Sequence, residues 1–251
     1  MKWRRLVGVT VAMAATVAVA ASATACSSDG GKSADAKTIR VMAAASLVDV
    51  MKPLNSAYGD EHDGAKVQLD TGASSALVQK LKSGAKADVL ITADTETMDK
   101  AVKDGLAKDP VVIATNKLVI VVPKGNPGKV TGLDFFTKEG NRAVICASEV
   151  PCGRAAERAI AAIGGTPHPI SRAVDVRNAL GTVTSGEADA ALVYATDAAS
   201  AGDKVETIEI PNAPVVQYPA SALTDAGKDY VDLLTSDKGK KILADAGFGA
   251  P

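Results

Sequence analysis

The chain has 251 residues, a formal net charge of −1 and 47% hydrophobic residues, enough for one large domain or two lobes with cores of their own. Near-neutral charge excludes the basic stripe of a nucleic-acid binder, and aromatics at 3% with a single Trp exclude a cleft walled by stacked rings. The 2 histidines, His62 and His168, lie far apart and outside any HExxH pattern, which excludes a catalytic zinc site of that kind. Chemistry must then come from Ser, Thr, Tyr, carboxylates and backbone groups.

Residues 1–25 read as a secretory signal. Lys2, Arg4 and Arg5 precede an uncharged, Ala-rich run from Leu6 to Ala25, which ends in Ala23-Thr24-Ala25-Cys26. A basic start, an apolar middle and small residues before the cut are the parts of an export signal. The closing Cys resembles the lipobox of bacterial lipoproteins, with Ala23 where that pattern prefers Leu, so Cys26 is expected to carry lipid. A membrane-spanning anchor, or cleavage nearby with a free Cys26, are the alternatives. Residues 26–37 lack apolar periodicity and read as a flexible tether. Gly30-Gly31-Lys32-Ser33 imitates the end of a phosphate-binding loop, but Cys26 stands where the first Gly belongs and no strand precedes it.

From Thr38 the pattern alternates. Strands are expected over Thr38–Ala43, Lys66–Asp70, Val89–Thr92, Leu118–Val122, Ala143–Cys146 and Ala190–Tyr194. Between them helices are expected over Leu47–Tyr58, from Ala76, over Thr95–Asp104 closed by Gly105, over Gly153–Ile163 and over Val174–Ser185. The end returns to helices at Ala226–Thr235 and Asp237–Ala246. Helical spacing of Leu47, Val50, Met51, Leu54 and Tyr58 supports the first helix. Repeated βα alternation implies parallel-rich sheets flanked by helices.

The hydroxyls fall at informative places. Ser46 sits between a strand and a helix, and Ser74 and Ser75 do so one unit later. Open parallel sheets bind ligands at the carboxyl ends of their strands. There, helix N-termini present free N–H groups and partial positive charge to an anion. Plain N-capping is the alternative for either serine. Asp88 and Asp94 read as turn and cap residues, and Asp175 as an N-cap.

Six segments in order carry a family resemblance: Val41-Met42-Ala43-Ala44-Ala45-Ser46-Leu47, Gly72-Ala73-Ser74-Ser75-Ala76-Leu77, Ala87-Asp88-Val89-Leu90-Ile91-Thr92-Ala93-Asp94, Val150-Pro151-Cys152-Gly153, Asp175-Val176-Arg177 and Leu192-Val193-Tyr194. Together they resemble the periplasmic molybdate-binding proteins of ABC transporters, over Thr38 to Phe248. The resemblance implies an α/β, two-lobed periplasmic-binding-protein fold (type II) with the ligand in the interlobe cleft. It implies lobe 1 over 38–116, lobe 2 over 117–222 and a return to lobe 1 over 223–251. It implies an oxyanion site made of Ser46 and Ser74 (hydroxyl and backbone N–H), Cys152 and Val176 (backbone N–H) and Tyr194 (phenol). It implies molybdate or tungstate as ligand, any molybdenum being bound only as the oxyanion, with no cofactor and no enzymatic activity. The implied partners are an ABC permease with its ATPase and, through Cys26, the outer face of the cell membrane; the implied state is a monomer.

Molybdate is a dianion with acceptor oxygens only, so a dry cage of neutral donors suits it, whereas protonated phosphate needs a partner that accepts its proton. Cys152 departs from the small residue expected in that motif, but backbone donation survives the change. Cys146 lies 6 residues before it, and export places both in an oxidising compartment. A Cys146–Cys152 disulfide is expected, against two free thiols or a redox-active pair. Other readings are a binder of sulfate or phosphate and an exported serine hydrolase. The hydrolase is disfavoured, because neither serine lies in GxSxG.

Overall fold

The computed structural model describes residues 38–251; the signal, Cys26 and the tether lie outside the described residues. The first half runs β1 (Thr38–Ala44), a 3-10 turn (Ala45–Leu47), α1 (Val48–Glu61), β2 (Lys66–Gly72), α2 (Ser74–Lys82), β3 (Val89–Ile91), α3 (Thr95–Lys103) and β4 (Val111–Pro123). The second runs β5 (Ala143–Cys146), α4 (Pro151–Ala162), β6 (Ser171–Ala173), α5 (Val176–Thr184), β7 (Ala190–Tyr194), α6 (Ala195–Ala201), β8 (Val205–Glu209), β9 (Val215–Ala222), α7 (Asp225–Thr235) and α8 (Asp237–Asp245). The apolar stripe of α1 does what its spacing demands: Val50, Met51, Leu54 and Tyr58 are all buried.

The strands form a mixed sheet in the order β2-β1-β3-β9-β4-β7-β5-β6, with β8 also on β4. Parallel pairs occur where helical crossovers join the strands: β1 with β2 and β3, and β5 with β6 and β7. Around β4 and β9 the pairing is antiparallel. Strand β4 is the pivot. Its first half, Val111–Lys117, pairs with β9, and from Leu118 onward it pairs with β7 and β8. Two parallel groups, β2-β1-β3 and β7-β5-β6, are thus joined through β9 and the long strand β4.

Several elements depart from the pattern read in the sequence, each for a local reason. Strand β4 starts earlier than Leu118 because polar Thr115, Asn116 and Lys117 interrupt an apolar run that is nevertheless continuous in space. Buried Asn116 is satisfied there by Thr196 Oγ1 and by the Lys117 N–H. Strand β9 contains Pro219, which normally demotes a run to an edge. It is tolerated in the middle of the sheet because the β4–β9 register shifts beside it, between Val112 and Ala114. Strand β9 pairs with β3 on one side and with β4 on the other. Alanine-rich α6 and the short β6 and β8 carry too few large apolar residues to announce themselves.

One glycine decides how the second group presents a helix. A Cβ on Gly153 would lie 1.8 Å from the Ala147 carbonyl oxygen. Only glycine lets the first turn of α4 sit this close to the loop that leaves β5. Cys146 at the end of β5 and Cys152 in that turn are joined by a disulfide, with their Cα atoms 5.6 Å apart, an ordinary separation for such a bridge.

Candidate anion-binding site

The carboxyl ends of β1, β2, β5, β6 and β7 deliver the chain to a single small cavity of about 20 Å³, room for one water-sized group at the roughly 10–15 Å³ that a water needs. Its lining comprises Ala44–Ser46, Gly72–Ser74, Ala93, Val150–Cys152, Asp175–Val176 and Tyr194. All five residues named from sequence as ligands, Ser46, Ser74, Cys152, Val176 and Tyr194, are brought together here. Cys26 falls outside the described residues.

Much of the lining is the start of a helix. The starts of α2, α4 and α5, together with the 3-10 turn leading into α1, all contribute to the lining. First-turn N–H groups have no partner within their own helix. At α2 and α4 the N-cap residues, Ala73 and Val150, make no side-chain cap bond. Helix N-termini left open toward one cavity concentrate N–H groups and partial positive charge on whatever sits there.

Neither serine acts as a cap. Ser74, 1% exposed, accepts the Ala93 N–H at 3.0 Å, so its own proton remains available to donate. Ser46 Oγ lies 2.8 Å from the Tyr218 hydroxyl. Tyr194 is 1% exposed, and its hydroxyl is buried without any partner. An unmade bond of that kind costs about 1–3 kcal/mol, which an acceptor in the cavity would relieve. Burial pushes the Tyr194 phenol well above its usual range, so it stays a neutral donor.

No Lys, Arg or His lines the cavity. Its single carboxylate, Asp175, is spent on its own helix, accepting the Asn178 N–H at 2.9 Å. Apart from that carboxylate, whose Oδ1 is engaged by its own helix, the side chains around the cavity are neutral, a setting suited to a fully deprotonated anion. A larger groove of about 550 Å³ also borders Ser46; its charged lining is Asp49 and Asp245, each already paired with a cation, Arg177 and Lys241. Among the described residues no cluster of His, Cys, Asp or Glu is placed to hold a metal ion, and no helix is long and apolar enough to cross a membrane.

The hydrolase alternative fails on geometry. A nucleophilic serine needs a base within hydrogen-bond reach, whereas Ser46 is held by Tyr218 and Ser74 by a backbone N–H. His62 stacks on Tyr58 at 4.3 Å, and His168 faces Glu139.

A family model described as bacterial extracellular solute-binding protein matches residues 39–249. The chain belongs to that family. Among bacterial extracellular solute-binding proteins, it is 36% identical over 233 residues to the molybdate-binding protein ModA of Mycobacterium tuberculosis, covering 90% of this chain and 89% of that protein. It is also 29% identical over 227 residues to a putative ABC transporter substrate-binding lipoprotein, YvgL, of Bacillus subtilis, covering 85% of this chain and 86% of the relative. In three dimensions it resembles the periplasmic molybdate-binding protein of Azotobacter vinelandii, with a TM-score of 0.73 and 19% identity over 85% of this chain and 99% of that one. The fold is therefore that of a periplasmic solute-binding protein, and the family is one of binders, not enzymes.

Several residues that shape the site were not read from the sequence. Tyr218 hides in β9, although the alternation of buried Val216 and Tyr218 around exposed Gln217 is a signal in retrospect. Arg154 and Arg177 each follow a cavity residue by one or two positions, yet their side chains turn away to carboxylates. Asp197, 0% exposed, accepts from Arg177 at 3.3 Å, while its second oxygen has no partner. Burial pushes its carboxyl up to about 7.

Proposed function

We propose that this protein captures molybdate, and tungstate equally, outside the cytoplasm and delivers it to an ABC permease driven by its ATPase. The observation that carries the reading is the cavity itself. Helix N-termini and a partnerless buried phenol converge on a space with no cation and a single carboxylate, Asp175, whose Oδ1 caps its own helix. A dianion with acceptor oxygens only satisfies every one of those donors. Each hydrogen bond to a charged acceptor contributes about 1.5–3 kcal/mol, so several converging bonds hold the ion without a counter-charge. The ligand set is Ser46, Ser74, Cys152, Val176 and Tyr194. The similarity to the molybdate-binding relative supports the choice of oxyanion.

The two strand groups act as lobes around this cavity. One is built on 38–116 and the segment from β9 onward, the other on the chain between, with β4 as a connecting strand. Ser46 and Ser74 belong to the first lobe, and Cys152, Val176 and Tyr194 to the second. Anion binding therefore draws them together. The Cys146–Cys152 bridge pre-orders the turn carrying the Cys152 N–H. After removal of residues 1–25, Cys26 carries lipid and residues 26–37 tether a monomer to the outer face of the membrane, as the lipoprotein relative supports.

Calorimetric titration at neutral pH with molybdate, tungstate, sulfate and phosphate tests the reading. Tight one-to-one binding of the first two, with phosphate silent, is expected. Sulfate, being smaller, makes longer and weaker bonds in the same cage. No heat and no rise in melting temperature with molybdate would reject the assignment.

A further inference from the structure

Two arginines are kept out of the cavity, and both reach across it. Arg154 lies on α4, two residues after Cys152. Its Nη2 donates to Asp94 Oδ2 at 2.6 Å and to Thr97 Oγ1 at 2.6 Å, and its Nε donates to Asp94 Oδ2 at 2.9 Å. Its Nη1 is anchored at home by the Glu149 carbonyl, 2.6 Å away. Asp94 follows Ala93, whose N–H holds Ser74, and it caps α3 through Oδ1 on the Thr97 N–H at 3.0 Å. The pair is 11% and 7% exposed at the side chains. On the opposite flank Arg177, next to Val176, donates to Asp49 on α1 at 2.8 Å and to Ser200 on α6 at 2.9 Å.

We propose that the Arg154–Asp94 pair is a latch that holds the anion cleft shut, making both of them positioning residues for a ligand they never touch. The inference rests on the two-lobe reading above. Arg154 stands on the second lobe, and Asp94 and Thr97 stand on the first, so these bonds exist only when the lobes are together. On opening, both charges return to water. Glu96 also lies 3.3 Å from Arg154 Nε, but its side chain is half exposed and screened. The cost of losing the buried Asp94 partner therefore falls on the closed state alone, and breaking the pair speeds release of the anion. Arg177 with Asp49 braces the other flank, but at 32% and 57% exposure that pair is screened and contributes less.

The sign of one substitution separates a latch from a general field effect. Asp94→Asn keeps the cap on α3 through its amide oxygen but turns an N–H₂ group toward Arg154. It also removes a negative charge beside the cavity. If Arg154 served only to attract the anion, this variant would bind more tightly and faster. The latch requires the reverse: a dissociation rate raised about tenfold or more, with the association rate nearly unchanged, because truncating one partner of a buried charge pair acts on release. Arg154→Lys, which keeps the charge and loses the fork, is expected to fall between the wild type and Asp94→Asn.

Stopped-flow binding of molybdate to the wild type and both variants, with ligand-free melting temperatures alongside, decides the matter. Faster release by Asp94→Asn at an unchanged ligand-free melting temperature supports the latch. Unchanged or slower release overturns it. So does a ligand-free melting temperature that falls in step with affinity, which marks a purely structural pair. A wild type indifferent to molybdate removes the transport reading and leaves the latch to amide exchange at residues 94–97 and 150–155. There, lost protection in Asp94→Asn upholds it and equal protection refutes it.

Discussion

Asp197 makes the stability of this protein depend on pH in a direction opposite to most carboxylates. Its side chain is fully buried at the start of α6, with one oxygen unpartnered. Burial is the largest influence on it and outweighs the Arg177 guanidinium, which pulls the other way; the carboxyl is raised from 3.8 to about 7. The folded state thus holds a proton that the unfolded chain has released. Between those two values the native state binds more protons, so stability falls as pH rises. The stabilisation is fully present below about pH 4 and is lost as pH climbs through about 7. A rise from 3.8 to about 7, at 1.36 kcal/mol for each tenfold change, amounts to about 4 kcal/mol. Asp197→Asn removes the titration while retaining an oxygen to accept from Arg177. Urea unfolding of both ligand-free proteins at intervals from pH 4 to pH 8 reads the difference directly, because the remaining groups titrate in both. The variant is expected to gain on the wild type by about 4 kcal/mol across that range. Parallel profiles, or a gap that widens toward acid, would refute the reasoning.

Tyr194→Phe is expected to have opposite effects on the free and bound protein. Removing a buried hydroxyl that has no partner leaves ligand-free stability unchanged or higher by about 1 kcal/mol. Molybdate affinity falls by about 1.5–3 kcal/mol, roughly 10- to 150-fold in Kd; thermal denaturation and titration check the two halves. Gly153→Ala forces a methyl group into the space already filled by the Ala147 carbonyl. It is expected to lower stability by about 1–3 kcal/mol and to weaken binding by displacing the first turn of α4, whereas Gly181→Ala, in open space on α5, does neither. Urea unfolding and calorimetric titration of the two variants side by side check the contrast.

The alternation of β-strands and helices, the serines at the turns and the cap residues Asp94 and Asp175 were legible because each depends on neighbours within a few positions. An apolar run sets a strand, and a short polar residue before a helix sets its start. The donor positions proposed at Cys152 and Val176 act through backbone N–H groups in that reading, so their side chains carry no trace of the role, and only resemblance in the surrounding motifs pointed to them. What the tertiary structure alone decided is everything that depends on separation along the chain. The Ser46 hydroxyl meets Tyr218, 172 residues away, on a strand that Pro219 disguises. Arg154 meets Asp94 at a separation of 60. The routing of β4, half in each strand group, brings both sets of helix N-termini to one cavity. Local sequence chooses elements because backbone and side-chain preferences act at short range; which elements face one another follows from how the sheet closes, and that is where the proposed anion site is made.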